Sequence, residues 1–439
     1  MSKNIVKPSI LPGFMELTPQ SQMLFNNMMD TVRKNYEKFG FLPIDTPVIE
    51  KTEVLLAKGG GETEKQIYQV VKGSTEMSLR FDLTVPLARY VAQHYSELAF
   101  PFRRYHIAKV YRGERNQRGR FREFYQADID IIGNGSLDII NDAEIPSVIY
   151  STFKDLGFDN FTIRMNNRKI LTGFFSSLGV EDPHIVMRAV DKLEKIGLEK
   201  VTEELLANGI DKDSIESIIG FIGIKGSPAE IIDSLNSLNI EHEVFLEGVK
   251  EIGTVVGYLK LFGVPEKNYA LDLTIARGLD YYTGTVYETI LNDYPDIGSV
   301  CSGGRYDDLA SHYTNQKLPG VGISIGLTRL FYQLEEAGII SSENYHLSKV
   351  LVIPMEGYSA EGIQLAAKLR AEDVYAQIYL EDAKLGKKFN YADKLGIPYV
   401  AVIGEEEKSS GMYTLRNMKT GEQTRLSIEG VIQKLREIH

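Results

Sequence analysis

Residues 277–307 read RGLDYYTGTVYETILNDYPDIGSVCSGGRYD, and the two ends of this stretch, RGLDYYTG (277–284) and CSGGRYD (301–307), constrain how the rest of the chain is read. Three tyrosines, two arginines and two aspartates lie there on strand-like sequence punctuated by glycine. That composition is wrong for a solvated loop and right for the floor of a polar pocket. Glycine lets the backbone come close to a ligand, and tyrosine presents a flat apolar body with one hydrogen-bonding tip. Arg277 inside such a pocket costs free energy unless it faces an anion; the plain alternative is an ion pair with Asp280 or Asp307. Arg305 reads as structural.

Working outward, strand-like sequence starts at YALDLTIARG (269–278) and continues to GVGISIGLTRL (320–330), a glycine-spaced apolar strand that leads into a helix. Upstream, alternation in KVYRGE and FREFYQADIDIIG, on either side of a polar loop at 116–119, predicts a hairpin over about 102–132. Residues 18–39 carry Met23, Phe25, Met28, Met29, Val32 and Tyr36 at helical spacing, with Thr18-Pro19 as cap and first turn and Gly40 as the stop. FLPIDTPVIE (41–50) is β-like but broken by Pro43 and Pro47, which suits an edge or an interface. From about 171 to 250 the periodicity is helical, with starts at Asp182-Pro183 and Ser227-Pro228, and this module interrupts the strand-bearing core. After the polar stretch 341–348, KVLVIPM, a helix, AQIYLED, a second helix, YVAVIG and a hairpin about Lys419-Thr420-Gly421 predict a small α/β domain. The expected organisation is therefore a core at 1–170, a helical insertion at 171–250, the rest of the core at 251–335 and a separate domain at 346–439.

A chain of 439 residues with 43% hydrophobic content exceeds one compact core, so two or three domains are expected. No secretory pattern opens it, and no apolar run approaches the roughly 18 residues of a membrane span, so a cytoplasmic protein without membrane contact is expected. The single cysteine, Cys301, excludes an internal disulfide and a multi-cysteine metal site, and reads as a small buried residue beside a strand. The seven histidines lack close metal-ligand spacing, so no protein-held metal is expected. A net charge of −11 disfavours nucleic acid in bulk. Between 103 and 122, however, eight basic residues face a single acid, Glu114. Such a patch can steer one polyanion to one place.

The hairpin segment YRGERNQRGRFREFYQ (111–126) resembles the second signature motif of class II aminoacyl-tRNA synthetases. GLTRL (326–330) resembles the third, and the segment around Pro47 the first, which forms the dimer interface in that class. The two pocket segments resemble the histidine-specific motifs of histidyl-tRNA synthetases. All stand in class II order, and no Gly-rich Walker-type loop offers a rival nucleotide site. The resemblance implies an α+β class II synthetase core, an antiparallel sheet flanked by helices, with a helical insertion and a C-terminal α/β domain similar to an anticodon-binding domain. It implies a homodimer that joins L-histidine to tRNA(His) through histidyl-adenylate, consuming ATP, with Mg2+ carried in on the ATP. The main alternative is a catalytically inactive regulatory paralogue of histidine biosynthesis. Such paralogues typically lack an intact histidine motif and the C-terminal domain, and this chain has both. A general RNA-binding module would explain the basic hairpin but not the tyrosine pocket.

The resemblance also assigns roles. Arg112 and Arg277 would be the catalytic cations at the α-phosphate, where a fixed, bidentate guanidinium answers developing charge better than a mobile ammonium. Glu114 would lie beside the nucleotide, Phe124 under adenine and Arg329 at the γ-phosphate. The substrate imidazole has two ring nitrogens, so discrimination requires groups that pair with both, and such a pocket rejects analogues by factors of order 10⁴ or more. Those groups would be Asp130 and Tyr282, with Tyr281 and Tyr306 lining the pocket and Arg277 at its border. LRFDLTVPLARY (79–90) would hold the α-amino group through Asp82 and Thr84, with Gln126 from the hairpin. Some family members carry glutamate where this chain has Asp82 and Asp130, and one methylene less shifts the reach. For tRNA the expected contacts are Arg115, Gln117, Arg118 and Arg120 in the hairpin and Lys384, Lys387 and Lys388 in the C-terminal domain. For those lysines a solvated helix face is the plain alternative.

Overall fold

A proline-started amphipathic helix, Pro19–Lys38, opens the architecture in the computed structural model, which describes residues 6–57, 65–114, 119–276, 281–342 and 346–437. Phe25, Met28, Val32 and Tyr36 are buried along one of its faces, and Gly40, at φ +76°, takes the left-handed conformation that ends it. The proline-broken segment then yields two short strands, β1 (Leu42–Pro43) and β2 (Ile49–Lys51). With β3 (Gln69–Val70) and β4 (Met77–Leu79), β2 forms a three-stranded sheet in the order β2-β4-β3.

The alternating segments pair as two ten-residue antiparallel strands, β5 (Phe102–Tyr111) and β6 (Glu123–Ile132). They join β7 (Phe161–Asn167), β8 (Tyr269–Leu271), β9 (Thr285–Leu291), β10 (Ser299–Tyr306) and β11 (Gly320–Ile325) in one large sheet of order β1-β5-β6-β11-β10-β9-β7-β8. Pairing is antiparallel except at the two ends, where β1 runs parallel to β5 and β8 to β7. Pro43 thus sits on an outermost strand, where a missing N–H costs no ladder bond.

Period-two alternation gives this sheet two unlike faces. On one, Ala127, Ile129, Ile131, Val321 and Ile325 are buried, Tyr36 donates to the Ala127 carbonyl at 3.0 Å, and Tyr287 donates to the Asp142 carbonyl of the helix Ile140–Asp155 at 2.8 Å. Arg305 is pinned to Asp142 through Nη2 at 2.7 Å and Nε at 3.1 Å, consistent with a structural arginine. The other face is polar and forms the pocket.

Helices run from Arg168 to Leu259, somewhat beyond the stretch read as helical from sequence. Its starts at Pro183 and Pro228 are capped by Asp182, which accepts from the His184 amide, and by Ser227 in a capping box with Glu230. YALDLTIARG departs from the strand expectation after Leu271. Asp272 accepts from the amide and hydroxyl of Thr274 at 3.0 and 2.6 Å, folding the chain into a turn, and also pairs with Arg164 at 2.6 Å. The basic segment 103–122 is not one surface patch. Arg104 is fully buried, Arg103 grips Glu144 at 2.6 Å and Lys109 pairs with Glu123 at 2.7 Å.

Two units separate by contact, residues 1–16 with 28–337 and residues 17–27 with 338–439. The second carries β12 (Val350–Pro354), β13 (Ala376–Ile378), β14 (Tyr399–Ile403), β15 (Tyr413–Asn417) and β16 (Gln423–Leu426), ordered β13-β12-β14-β15-β16. Val350, Val352, Leu365, Leu369, Ile403, Leu415, Val431 and Leu435 form a buried core of its own. Among the described residues no helix is long and apolar enough to cross a membrane.

Candidate active site

A cavity of about 450 Å³ opens on the polar face of the large sheet. The register decides what it contains. On β6, Gln126, Asp128 and Asp130 occupy alternate positions and so share a face. Across from them stand Ser324 and Gly322 of β11, and beyond these Ser302 and Gly304 of β10, then Glu288 and Val286 of β9. Glycine is required here by space. A Cβ at Gly322 would overlap the Asp130 carboxylate, one at Gly320 the Tyr306 ring, and one at Gly304 the Tyr282 ring. The glycine spacing of CSGGRYD and GVGISIG therefore makes room for side chains lying across neighbouring strands.

Asp130 is 3% exposed, accepts from the Tyr306 hydroxyl at 2.7 Å, and has the buried Arg104 Nη2 at 2.5 Å from its second oxygen. That second contact is an ion pair by distance without hydrogen-bond alignment. Burial pushes the Asp130 carboxyl up to about 7, opposed first by Arg104. Asp82, equally buried, accepts from the Val85 amide at 3.1 Å, which leaves its second oxygen without a hydrogen-bond partner among the described residues. Burial raises both Asp82 and Asp128 to about 6. Gln126 donates to Ser324 at 2.7 Å, and its carbonyl oxygen is buried and unpartnered among the described residues. Tyr281 and Tyr282 meet edge to face at 4.8 Å between ring centroids, Tyr281 and Tyr306 at 6.0 Å, and Thr84 bonds to Tyr281. These rings wall the carboxylates.

At the hairpin end, Arg112 donates Nε to the Phe81 carbonyl at 2.9 Å and stands 5.2 Å from the centroid of Phe124. Glu114 pairs with Arg120 at 3.2 Å. Thr328 accepts from the Tyr125 amide at 2.8 Å, fastening the helix Leu327–Glu336 to β6 and bringing Arg329 into the cavity wall, where it donates to the Ile297 carbonyl at 3.1 Å. Arg112, Glu114, Phe124, Arg329, Asp82, Thr84, Gln126, Asp130, Tyr281, Tyr282, Tyr306 and Arg120 thus all line one cavity. Arg277, Arg115, Gln117 and Arg118 lie outside the described residues. Lys384 and Lys387 are exposed at the start of the helix Leu385–Lys394, and Lys388 stands 5.5 Å from the Tyr379 ring centroid. Among the described residues no cluster of three or more His, Cys, Asp or Glu side chains could hold a metal ion.

Sequence reading missed Asp128, Ser324 and Glu288 as pocket residues. Asp128 carries a legible signal, since it lies between Gln126 and Asp130 at spacing two. Ser324 and Glu288 become visible only through the register.

A mainly antiparallel sheet whose polar face carries an arginine hairpin at one end and an arginine-bearing helix start beside it defines a class II aminoacyl-tRNA synthetase core. Residues 13–330 match the family model described as histidyl-tRNA synthetase, and residues 349–438 match that of an anticodon binding domain. The histidine–tRNA ligase of Clostridium tetani (strain Massachusetts / E88) is 66% identical over 434 residues, covering 99% of each chain. That of Finegoldia magna is 50% identical over 432 residues, covering 98% of this chain and all of its own. The crystal structure of histidyl-tRNA synthetase from Nostoc sp. PCC 7120 superimposes with a TM-score of 0.91 at 39% identity, covering 98% of this chain and 99% of its own. A protein described as an ATP phosphoribosyltransferase regulatory subunit/histidyl-tRNA synthetase from Bacillus halodurans C shares the fold, at 21% identity and a TM-score of 0.75. The chain belongs to the histidyl-tRNA synthetase family.

Proposed function

We propose that this chain activates L-histidine with ATP and transfers it to tRNA(His). The observation that carries this reading is the pocket floor, where three buried aspartates and a glutamine, walled by three tyrosines, share a cavity with Arg112. Asp82 Oδ2 and Gln126 Oε1 are buried acceptors without partners among the described residues, and a cationic α-amino group would satisfy both. Asp130 and Tyr282 would take the imidazole. ATP would place adenine on Phe124 beside Glu114, with Arg329 toward the γ-phosphate.

In this geometry a histidine carboxylate oxygen attacks the α-phosphorus, the bond to the β-phosphate oxygen breaks, and pyrophosphate leaves. Charge builds on the α-phosphate oxygens, where Arg112, and by the family pattern Arg277, would answer it. Positioning and charge stabilisation then suffice without a side-chain base. The terminal ribose hydroxyl of the tRNA next takes the histidyl group, releasing AMP. Magnesium would arrive bound to the ATP phosphates. The tRNA would meet the hairpin through Arg115, Gln117, Arg118 and Arg120, and the second unit through Lys384, Lys387 and Lys388. A cytoplasmic homodimer is part of the same reading. Leu42, Val48 and Ile49, exposed on the proline-broken edge, supply apolar surface for that interface.

Histidine-dependent exchange of labelled pyrophosphate into ATP tests the proposal. Exchange that needs histidine supports it. Binding of histidine without exchange would instead favour the regulatory paralogue.

A further inference from the structure

Arg104 stands beside Asp130 on the pocket face of the sheet. It is fully buried on β5, directly across from Asp130 of β6. Besides the Asp130 ion pair it makes one long contact, Nη2 to the Leu83 carbonyl at 3.5 Å, and its Nε and Nη1 have no hydrogen-bond partner among the described residues. Two other buried arginines, Arg80 and Arg305, are held differently. Arg80 donates to the carbonyls of Lys109 and Thr46, and Arg305 reaches both oxygens of Asp142 and the Asp138 carbonyl. Those two are fasteners with several firm acceptors. Arg104 directs its charge at a carboxylate of the pocket, and a buried guanidinium so poorly satisfied costs stability.

We propose that Arg104 is a positioning residue for the substrate imidazole, holding the Asp130 carboxylate ionised and fixed in one orientation from the neighbouring strand while that carboxylate meets the ring N–H. The inference rests on the reading of Asp130 as the imidazole partner. Tyr306 clamps the other carboxylate oxygen from β10, so the group is held from two strands. The groups that act on Asp130 are Arg104 from β5, Asp128 from its own strand, Tyr306 from β10 and Asp82 from the segment ahead of the helix Thr84–Gln93; Tyr282 stands near as well. Burial and the two neighbouring carboxylates push its protonation upward in pH, while Arg104 and the Tyr306 hydroxyl pull it down. Removing the cation therefore moves ionisation of Asp130 to higher pH, and histidine recognition with it.

The test is histidine-dependent pyrophosphate exchange by the full chain between pH 6 and 9, with KM for histidine and for ATP measured separately. Arg104→Met should raise the histidine KM roughly 10- to 100-fold near neutrality, the range for a missing charge-assisted hydrogen bond. It should shift the acidic limb of the histidine profile toward alkaline pH and leave the ATP KM little changed. Arg104→Lys keeps a cation without the planar fork and should fall between the two proteins. It decides by the same readouts should the methionine variant not fold. A folded Arg104 variant with wild-type histidine KM and an unmoved limb, or with equal losses for both substrates, overturns the proposal. Asp130→Asn separates the two layers. If it leaves the histidine KM unchanged, the imidazole assignment itself falls, whereas a large effect there with none at Arg104 sinks the positioning role alone.

Discussion

Replacing Arg112 with alanine should separate chemistry from folding. Its side-chain contacts among the described residues are a hydrogen bond to the Phe81 carbonyl at 2.9 Å and a cation–π approach to Phe124 at 5.2 Å. A net hydrogen bond is worth about 0.5–1.5 kcal/mol and a partly exposed cation–π pair about 0.5–1, so the stability loss should be about 1–2.5 kcal/mol. That is a modest part of a typical folding free energy of about 5–15 kcal/mol. The kinetic loss should be larger. A preorganised donor that answers charge developing in the transition state is worth about 2.7–4 kcal/mol, or roughly 10²–10³ in rate. The loss should fall on kcat for exchange more than on the ATP KM, because the charge on the α-phosphate grows during reaction. Arg112→Lys should rescue poorly, since an ammonium cannot keep the bond to Phe81 and present a fork to the phosphate. Thermal unfolding followed by circular dichroism, beside saturating exchange kinetics, gives both numbers. A folded Arg112→Ala chain exchanging pyrophosphate at near wild-type rate would refute the assignment.

Gly322→Ala should cost about 1–3 kcal/mol by overpacking and weaken histidine more than ATP, because its methyl group would overlap the Asp130 carboxylate. Gly326→Ala, whose nearest neighbour is 4.0 Å away, is the matched control, and equal behaviour of the two in urea unfolding and histidine titration would contradict the packing argument. Lys384→Gln with Lys387→Gln should weaken tRNA charging and flatten its salt dependence by about 0.7–0.9 in log K per log salt for each phosphate no longer neutralised, while exchange is unaffected. Unchanged charging would leave those lysines as a solvated face. Asp82 and Asp128 are pushed up to about 6 and Asp130 to about 7 by burial. Folded values above the ordinary carboxylate range mean that their contribution to stability is full below about pH 4 and is lost as pH rises through 6 to 7. If histidine brings its α-ammonium to Asp82 as proposed, the rise in Tm on adding it should be larger at pH 8 than at pH 5. A rise that is equal at both, or larger in acid, contradicts the charge account.

Local patterns carried much of this architecture. Alternation over 102–132 was enough for the hairpin, and the Thr18-Pro19, Asp182-Pro183 and Ser227-Pro228 starts all open helices, because capping and period are written within a few residues. Alternation also puts Gln126 and Asp130 on one face, yet it cannot say that Arg104 lies opposite Asp130 or that Gly322 clears space for it. Those facts depend on strand register between segments far apart in sequence. The same limit explains the basic segment. Eight nearby cations look like a patch in one dimension, but a strand sends successive residues to opposite faces, so Arg103 reaches Glu144 on the far side of the sheet while Arg104 is buried beside Asp130. YALDLTIARG misled for the opposite reason, since its apolar alternation is overridden by the Asp272 turn.

Charging of tRNA(His) with labelled histidine and ATP by the 439-residue chain, with a non-cognate tRNA beside it, tests the overall reaction. Label should accumulate on tRNA(His) as an alkali-labile ester, with AMP and pyrophosphate formed in step and little label on the other tRNA. Absence of the ester under conditions where histidine and ATP both bind would contradict it.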